Sequence, residues 1–178
     1  ADARPFVTHH NALDLDLYLR ISMGELWQKR LMVAGFEKTF EIGRQFRNEG
    51  ISAEHLQDYT QMEFYWAYAN YNDTMDLVER LYKYVIQQTF GTLQFTIKGF
   101  PVDFSQPWPH LDYVTAIKDK LGIDVLTSSE AELVIKCQSL KIDPKGDVGK
   151  GRLMDLLWKH CRKQIAGPVF LVNHPVEV

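Results

Sequence analysis

Apolar and polar residues alternate in three stretches of the first seventy positions. In 15–21, Leu15, Leu17, Leu19 and Ile21 alternate with Asp16, Tyr18 and Arg20, which predicts a strand with one buried face. Residues 39–48 predict a second strand, with Phe40, Ile42 and Phe46 on one side and Glu41, Gly43, Gln45 and Arg47 on the other. In 59–68 a third strand sets Met62, Phe64, Trp66 and Tyr68 against Gln61, Glu63 and Tyr65. Such alternation favours antiparallel pairing. The polar segment 49–58 between the last two strands is longer than an ordinary hairpin turn, and ordered loops of that length are more often functional than not.

Elsewhere the apolar spacing lengthens to that of a helix. Leu26, Trp27, Leu31, Val33 and Ala34 follow Ser22, a plausible N-cap with Glu25 three residues on, and Gly35 supplies a stop. Asp73 is placed to cap a helix reaching Thr89 and stopped by Gly91. A short hairpin over 93–98 and 101–104, turned at Gly99, precedes predicted helices at 113–121, 129–140 and 151–165. A last strand at 169–172 follows Gly167-Pro168. No repeat, low-complexity run or Ser/Gly linker divides the chain, so it reads as one unit. The element order predicts an α+β fold, an antiparallel sheet flanked by helices.

Composition narrows the classes without choosing among them. With 178 residues, 46% hydrophobic and 24% charged, disordered, collagen-like and mucin-like chains are excluded. A net charge of -3 supplies no general field for nucleic acid, so such a partner has to be argued from local residues. Two cysteines, Cys137 and Cys161, no apolar run of membrane-spanning length and no leader predict a reduced, cytoplasmic protein without a membrane partner. The chain opens on Ala-Asp-Ala-Arg-Pro-Phe and stops at Asn-His-Pro-Val-Glu-Val just after an apolar run; both ends read as cuts within a longer chain.

The chemistry concentrates in the second and third strands. If their polar faces lie on the same side, a guanidinium, carboxylates and a phenol converge on a wall backed by a hydrophobic layer. That is a floor for a ligand carrying both a cationic and an anionic group. Periodicity alone is equally met by a solvated sheet face on which Arg47 pairs weakly with a carboxylate, and that arrangement is the commoner one. Other candidates are weaker. His9 and His10 read as polar loop residues, because adjacent side chains point apart and no further ligand follows at metal spacing. Residues 146–152 lack the GxxxxGK[ST] pattern of a phosphate loop and read as a helix-leading loop. Cys161 beside His160 reads as a buried, inert thiol.

The residues themselves add more than their periodicity. Gly35-Phe-Glu-Lys-Thr-Phe-Glu-Ile-Gly-Arg-Gln-Phe-Arg-Asn-Glu-Gly50, then His55 and Tyr59-Thr-Gln-Met-Glu63, resembles motif 2 of the class II aminoacyl-tRNA synthetases, in the version carried by the lysyl-tRNA synthetases. The segments from Ala3 to Asp14 and from Leu17 to Ile21 are similar to what precedes motif 2 in that family. The likeness is dense to about Asp73 and thin from Gly91 onward. One departure stands out: the family's His-Asn-Pro-Glu-Phe is here His55-Leu56-Gln57-Asp58-Tyr59, which loses a turn-stiffening proline.

The resemblance implies that Arg47 bridges the carboxylate of lysine and the α-phosphate of ATP, a role suited to a permanently charged, forked donor. It implies that Glu49 and His55 contact ATP, and that Tyr59 stacks on adenine where the family has phenylalanine. Glu25 and Glu63 would hold the ammonium side of the lysine backbone, and Tyr65 would help receive the side-chain amine. On the residues alone Glu25 is better explained as part of a capping box, and a carboxylate tied to its own N-cap amide has less capacity left for a ligand. The implied fold is an incomplete class II catalytic domain over 1–178, without the anticodon-binding domain, motif 1 or motif 3. The implied reaction is ATP-dependent activation of lysine and its transfer to tRNA(Lys) by a homodimeric, magnesium-dependent parent enzyme, with the metal ligands outside these residues and the fragment alone inactive or nearly so. Two rivals are a tRNA-independent relative that attaches an amino acid to a protein lysine and a non-catalytic module that keeps the sheet without its reaction.

Overall fold

A computed structural model describes residues 4–50, 55–144, 146 and 148–178. The chain is α+β and divides into two compact units, Ala1–Asn70 and Tyr71–Val178. No linker composition marks the division: strand β4 ends at Trp66 and the next helix begins at Tyr71.

The first unit holds β1 (Val7–His10), β2 (Leu15–Tyr18), helix α1 (Glu25–Val33), β3 (Lys38–Phe46) and β4 (Asp58–Trp66). β1 and β2 form one antiparallel pair, β3 and β4 another. The predicted first strand is confined to Leu15–Tyr18 and has no buried residue; among the described residues its ladder partner is β1 alone. His9 and His10 lie in β1 rather than in a loop, and His9 Nδ1 stands 3.0 Å from Asp16 Oδ1 across the ladder.

Burial in this unit runs opposite to the usual pattern. Among its described residues Met23 is the only fully buried apolar one, and Gln45 and Gln28 are buried with it. Phe40 and Ile42, the apolar side of β3, are 71% and 62% exposed, so the hydrophobic layer expected behind the polar wall is open. Alternation identifies which residues share a face; it does not say which face is covered. Here α1 and the segment leading into it cover the polar face.

The start of α1 also departs from expectation. Gly24, in the left-handed region at φ 31°, is the N-cap, and Ser22 makes no cap bond. Met23 is buried against Gly43, where an added Cβ would come within 3.2 Å of its Cε, so the chain has to turn after Met23 and the helix begins two residues later than predicted. A residue other than glycine would take that turn with strain.

The second unit holds α2 (Tyr71–Phe90), β5 (Gln94–Ile97), β6 (Phe100–Asp103), β7 (His110–Asp112), α3 (Tyr113–Leu121), α4 (Glu130–Ser139), α5 (Lys150–Cys161), a 3-10 turn (Arg162–Gln164) and β8 (Phe170–Val172). Its core lies between α3, α4 and α5, where Tyr113, Ile117, Val125, Leu133, Cys137, Leu153, Met154, Leu157 and Cys161 are all withdrawn from water. Helical spacing makes these residues one cluster, and the ends are well specified. Ser129 and Glu132 form a reciprocal capping box on α4, and Asp112 caps α3 through Thr115 N at 2.8 Å. Both cysteines are free, and burial raises their thiol pKa values, as an inert role requires. The last strand pairs with β7 in parallel, unlike the antiparallel β5–β6 hairpin that turns at Lys98 and Gly99. Residues 148–149 lead into α5 with Gly149 as N-cap, in keeping with a helix-leading loop; Lys145 and Asp147 lie outside the described residues.

Two substitutions test this packing. A Cβ built on Gly151, in the first turn of α5, would lie 1.7 Å from the Glu177 carbonyl oxygen. Gly151→Ala should therefore destabilise the chain by about 1 kcal/mol or more in urea unfolding, although alanine is favoured over glycine in a helix by about that amount. Equal or greater stability would show that the segment around Glu177 yields without cost. The Tyr113 hydroxyl is buried with no hydrogen-bond partner among the described residues, and burial first, then Asp155 and Cys161, pushes its pKa well above 10. The folded chain keeps this proton longer than the unfolded one, so its contribution is intact below pH 10 and is lost as pH rises above it. Tyr113→Phe should be at least as stable at pH 8 and should lose less stability than wild type between pH 9 and 11. A parallel loss in both proteins would contradict this account of Tyr113.

Candidate active site

The register of the second ladder decides what meets on the polar wall. Thr39 is paired with Tyr65, Glu41 with Glu63, Gly43 with Gln61 and Gln45 with Tyr59, so the polar faces of both strands coincide. Helix α1 lies over this face, and Thr39 Oγ1 stands 3.3 Å from Gln28 Oε1.

Glu25, Glu63 and Tyr65 come together at one end of the wall. Glu25 does not bond back to its N-cap amide; it takes Lys29 Nζ at 2.5 Å, one helical turn on, and interacts with the Tyr65 phenol. The Lys29 ammonium holds the Glu25 carboxyl below its usual range, and Glu25 in turn raises the Lys29 pKa, with smaller contributions from Tyr65 and Glu63. Desolvation raises the Tyr65 pKa, helped by Glu25 and Glu63, so the phenol stays a neutral donor to carboxylates on both sides. Behind them runs a line of amides: Gln45 Nε2 donates to Gln61 Oε1 at 2.5 Å, and Gln61 Nε2 lies 3.5 Å from Glu63 Oε2.

Glu41 directly opposes Glu63, and like charges at that separation destabilise a ladder. Arg20 resolves the conflict by pairing with Glu41 while its Nε donates to the Arg44 carbonyl at 2.7 Å. The guanidinium lies over Gly43, where an added Cβ would come within 2.2 Å of an Arg20 nitrogen and the flexible end of Arg20 would have to shift.

At the other end, Arg47 follows directly on β3. Its backbone N–H donates to the Gln57 carbonyl at 2.8 Å, its Nε to the Ile21 carbonyl at 3.2 Å, and its guanidinium carbon stands 6.0 Å from the centroid of Tyr59. These contacts fix the side chain's stem, and a guanidinium fork carries further donors suited to an anion. Arg47, Glu49, Gly50, His55, Leu56, Gln57 and Tyr59 line a cleft of about 350 Å³. Gln57, where the family has proline, closes the loop's mouth with its Nε2 3.5 Å from the Gly50 carbonyl oxygen. Residues 51–54 of this loop lie outside the described residues.

Thus the seven residues singled out from the sequence fall into two groups beside the two ends of one ladder, Glu25, Glu63 and Tyr65 at one end and Arg47, Glu49, His55 and Tyr59 at the other. Lys29, Arg20, Gly43 and Gln61 were not singled out as functional. Lys29 had a legible signal in its i,i+4 spacing from Glu25. Arg20 had none, because its partners lie more than twenty residues away.

The family described as tRNA synthetases class II (D, K and N) matches residues 1–178. A lysine–tRNA ligase of Clostridium perfringens strain SM101 is 43% identical over 183 aligned residues, covering all of this chain and 36% of the relative. Relatives of the same name from Thermosipho africanus and Thermotoga maritima are 41% and 43% identical, each matched over 35% of its length. The chain therefore spans about a third of the curated relatives it matches. With a family match over its whole length, the chain belongs to the class II tRNA synthetases of the D, K and N group.

Proposed function

We propose that residues 1–178 are the motif 2 part of the catalytic domain of a lysine–tRNA ligase, which activates lysine with ATP and passes the lysyl group to tRNA. The observation that carries this reading is that Glu63 and Tyr65, with Glu25 beside them, share one face of a strand pair with Tyr59, beside which Arg47 lies. Tyr59 and Glu63 are four residues apart on β4, about 13 Å at roughly 3.3 Å per residue, a span suited to an adenylated amino acid.

In this reading Glu25, Glu63 and Tyr65 receive the ammonium groups of lysine. Arg47 holds the lysine carboxylate against the α-phosphate of ATP, Tyr59 stacks on adenine, and Glu49 and His55 contact the nucleotide. A carboxylate oxygen attacks the α-phosphorus, the bond to the pyrophosphate oxygen breaks, and pyrophosphate leaves with that electron pair. Negative charge grows on the phosphoryl oxygens during this step, and a fixed guanidinium stabilises it without having to reorganise. A hydroxyl of the tRNA then attacks the carbonyl carbon and AMP departs. Magnesium accompanies ATP in this chemistry. Among the described residues no three His, Cys, Asp or Glu side chains are arranged to hold a metal ion. Among the same residues no helix is long and apolar enough to cross a membrane.

Lysine-dependent pyrophosphate exchange by the intact enzyme tests the assignments. Arg47→Ala should lower kcat/KM far more than tenfold while leaving the fold intact; a loss below about tenfold, or about 1.4 kcal/mol, would remove Arg47 from the reaction. Glu63→Gln should raise the KM for lysine by about tenfold or more and leave that for ATP within about twofold. A rise in the ATP KM of equal size would show that Glu63 does not act on the amino acid.

A further inference from the structure

Residues 20–24, between β2 and α1, lie outside helix and ladder, yet they are laid along β3 by a set of contacts. The Arg20 carbonyl accepts from Phe46 N at 2.9 Å, and the Ile21 carbonyl accepts from Arg47 Nε at 3.2 Å. The Arg20 side chain then runs back over Gly43. Its Nε donates to the Arg44 carbonyl at 2.7 Å, and its guanidinium pairs with Glu41. Arg20 therefore holds three points of β3, and the residue after it supplies the acceptor for Arg47.

Resting on the lysine-activating reading above, we propose that Arg20 is a positioning residue for the reaction, acting on Arg47 through the Ile21 carbonyl. The Nε of an arginine lies in the guanidinium plane, so a bond made there sets the direction in which the rest of the fork points. That bond is only as well placed as the carbonyl that accepts it. Ile21 has no ladder or helix to hold it, and the anchors of Arg20, its immediate neighbour, take that part. In the reading above Arg47 spans the two groups that react. A misplaced fork therefore costs rate more than affinity, and a displacement of about 1 Å is enough to cost up to about a hundredfold. Each substrate keeps its other contacts, Glu63 and Tyr65 for the amines and Tyr59 for adenine. The pair with Glu41 has a second role, as the counter-charge on a carboxylate that opposes Glu63. The two roles separate when both charges of that pair are removed together, because the brace is then lost and no carboxylate is left uncompensated.

The test is lysine-dependent pyrophosphate exchange by the intact enzyme, with wild type, Glu41→Gln and the double variant Arg20→Met/Glu41→Gln, and with kcat expressed per active site counted by the burst of adenylate. Both side chains are partly exposed, so neither replacement disturbs a core. Glu41→Gln keeps the bond from Arg20 to the Arg44 carbonyl and should stay within about threefold of wild type in kcat. The double variant should lose about tenfold or more in kcat while its KM values for lysine and ATP stay within about threefold. A double variant as active as Glu41→Gln would show that Arg20 only balances Glu41, and a loss carried by either KM would show that it acts on binding; both would overturn the proposal. Single-turnover adenylate formation in an Arg47→Lys background closes the cycle, because lysine has no Nε–H to meet the Ile21 carbonyl. There the same double change should cost no more than about twofold, and a loss equal to that in the wild-type background would overturn the proposal. A wild-type enzyme that exchanges pyrophosphate with an amino acid other than lysine would overturn the lysine reading alone, since the same variants then read the role of Arg20 with that amino acid.

Discussion

The register of β3 against β4 is the constraint on which the rest of the site depends. Pairing Glu41 with Glu63 sets every odd-numbered residue of both strands on one side. A slip of one residue would turn Glu63 and Tyr65 to the opposite face and leave Glu25 without its partners. That register places two carboxylates directly opposite each other, so the ladder requires a counter-cation. Arg20 provides it, lying over Gly43, which carries no side chain. A conflict of like charge between two strands is thereby resolved by a residue from outside both.

This arrangement explains why the first unit is stabilised differently from the second. Between α3, α4 and α5 a cluster of nine buried residues excludes water in the ordinary way. The first unit buries Met23 and two glutamines, and its cohesion comes from ladder hydrogen bonds and from pairs on the covered polar face. Such a face is costly unless its donors and acceptors are matched; Gln45 Nε2 donates to Gln61, while Gln45 Oε1 is buried with no partner among the described residues. Lys29, Tyr65 and Gln61 each engage a carboxylate that the proposed reaction would use.

What the sequence made legible follows from the same physics. Strict alternation in β3 and β4 identified the shared faces, and apolar spacing placed the helices of the second unit, although α5 gives way to a 3-10 turn at Arg162, short of the expected end at residue 165. Alternation could not tell which face is covered, because the covering comes from α1, and so the exposure of Phe40 and Ile42 was missed. The start of α1 was misread because burial of Met23 outweighs the local preference of Ser22 for a cap. Arg47 was identified by its motif, but what orients it, the Ile21 carbonyl twenty-six residues away, leaves no local mark.

The most direct test of the whole account is a crystal structure of the intact enzyme with lysine and an ATP analogue that cannot release pyrophosphate. The account predicts an amine of lysine within hydrogen-bond distance of Glu63 or Tyr65, its carboxylate on Arg47 and the adenine against Tyr59, all on the odd-numbered face. Lysine bound on the face of Phe40, Ile42 and Met62, or with its amines turned away from Glu25, Glu63 and Tyr65, would contradict it.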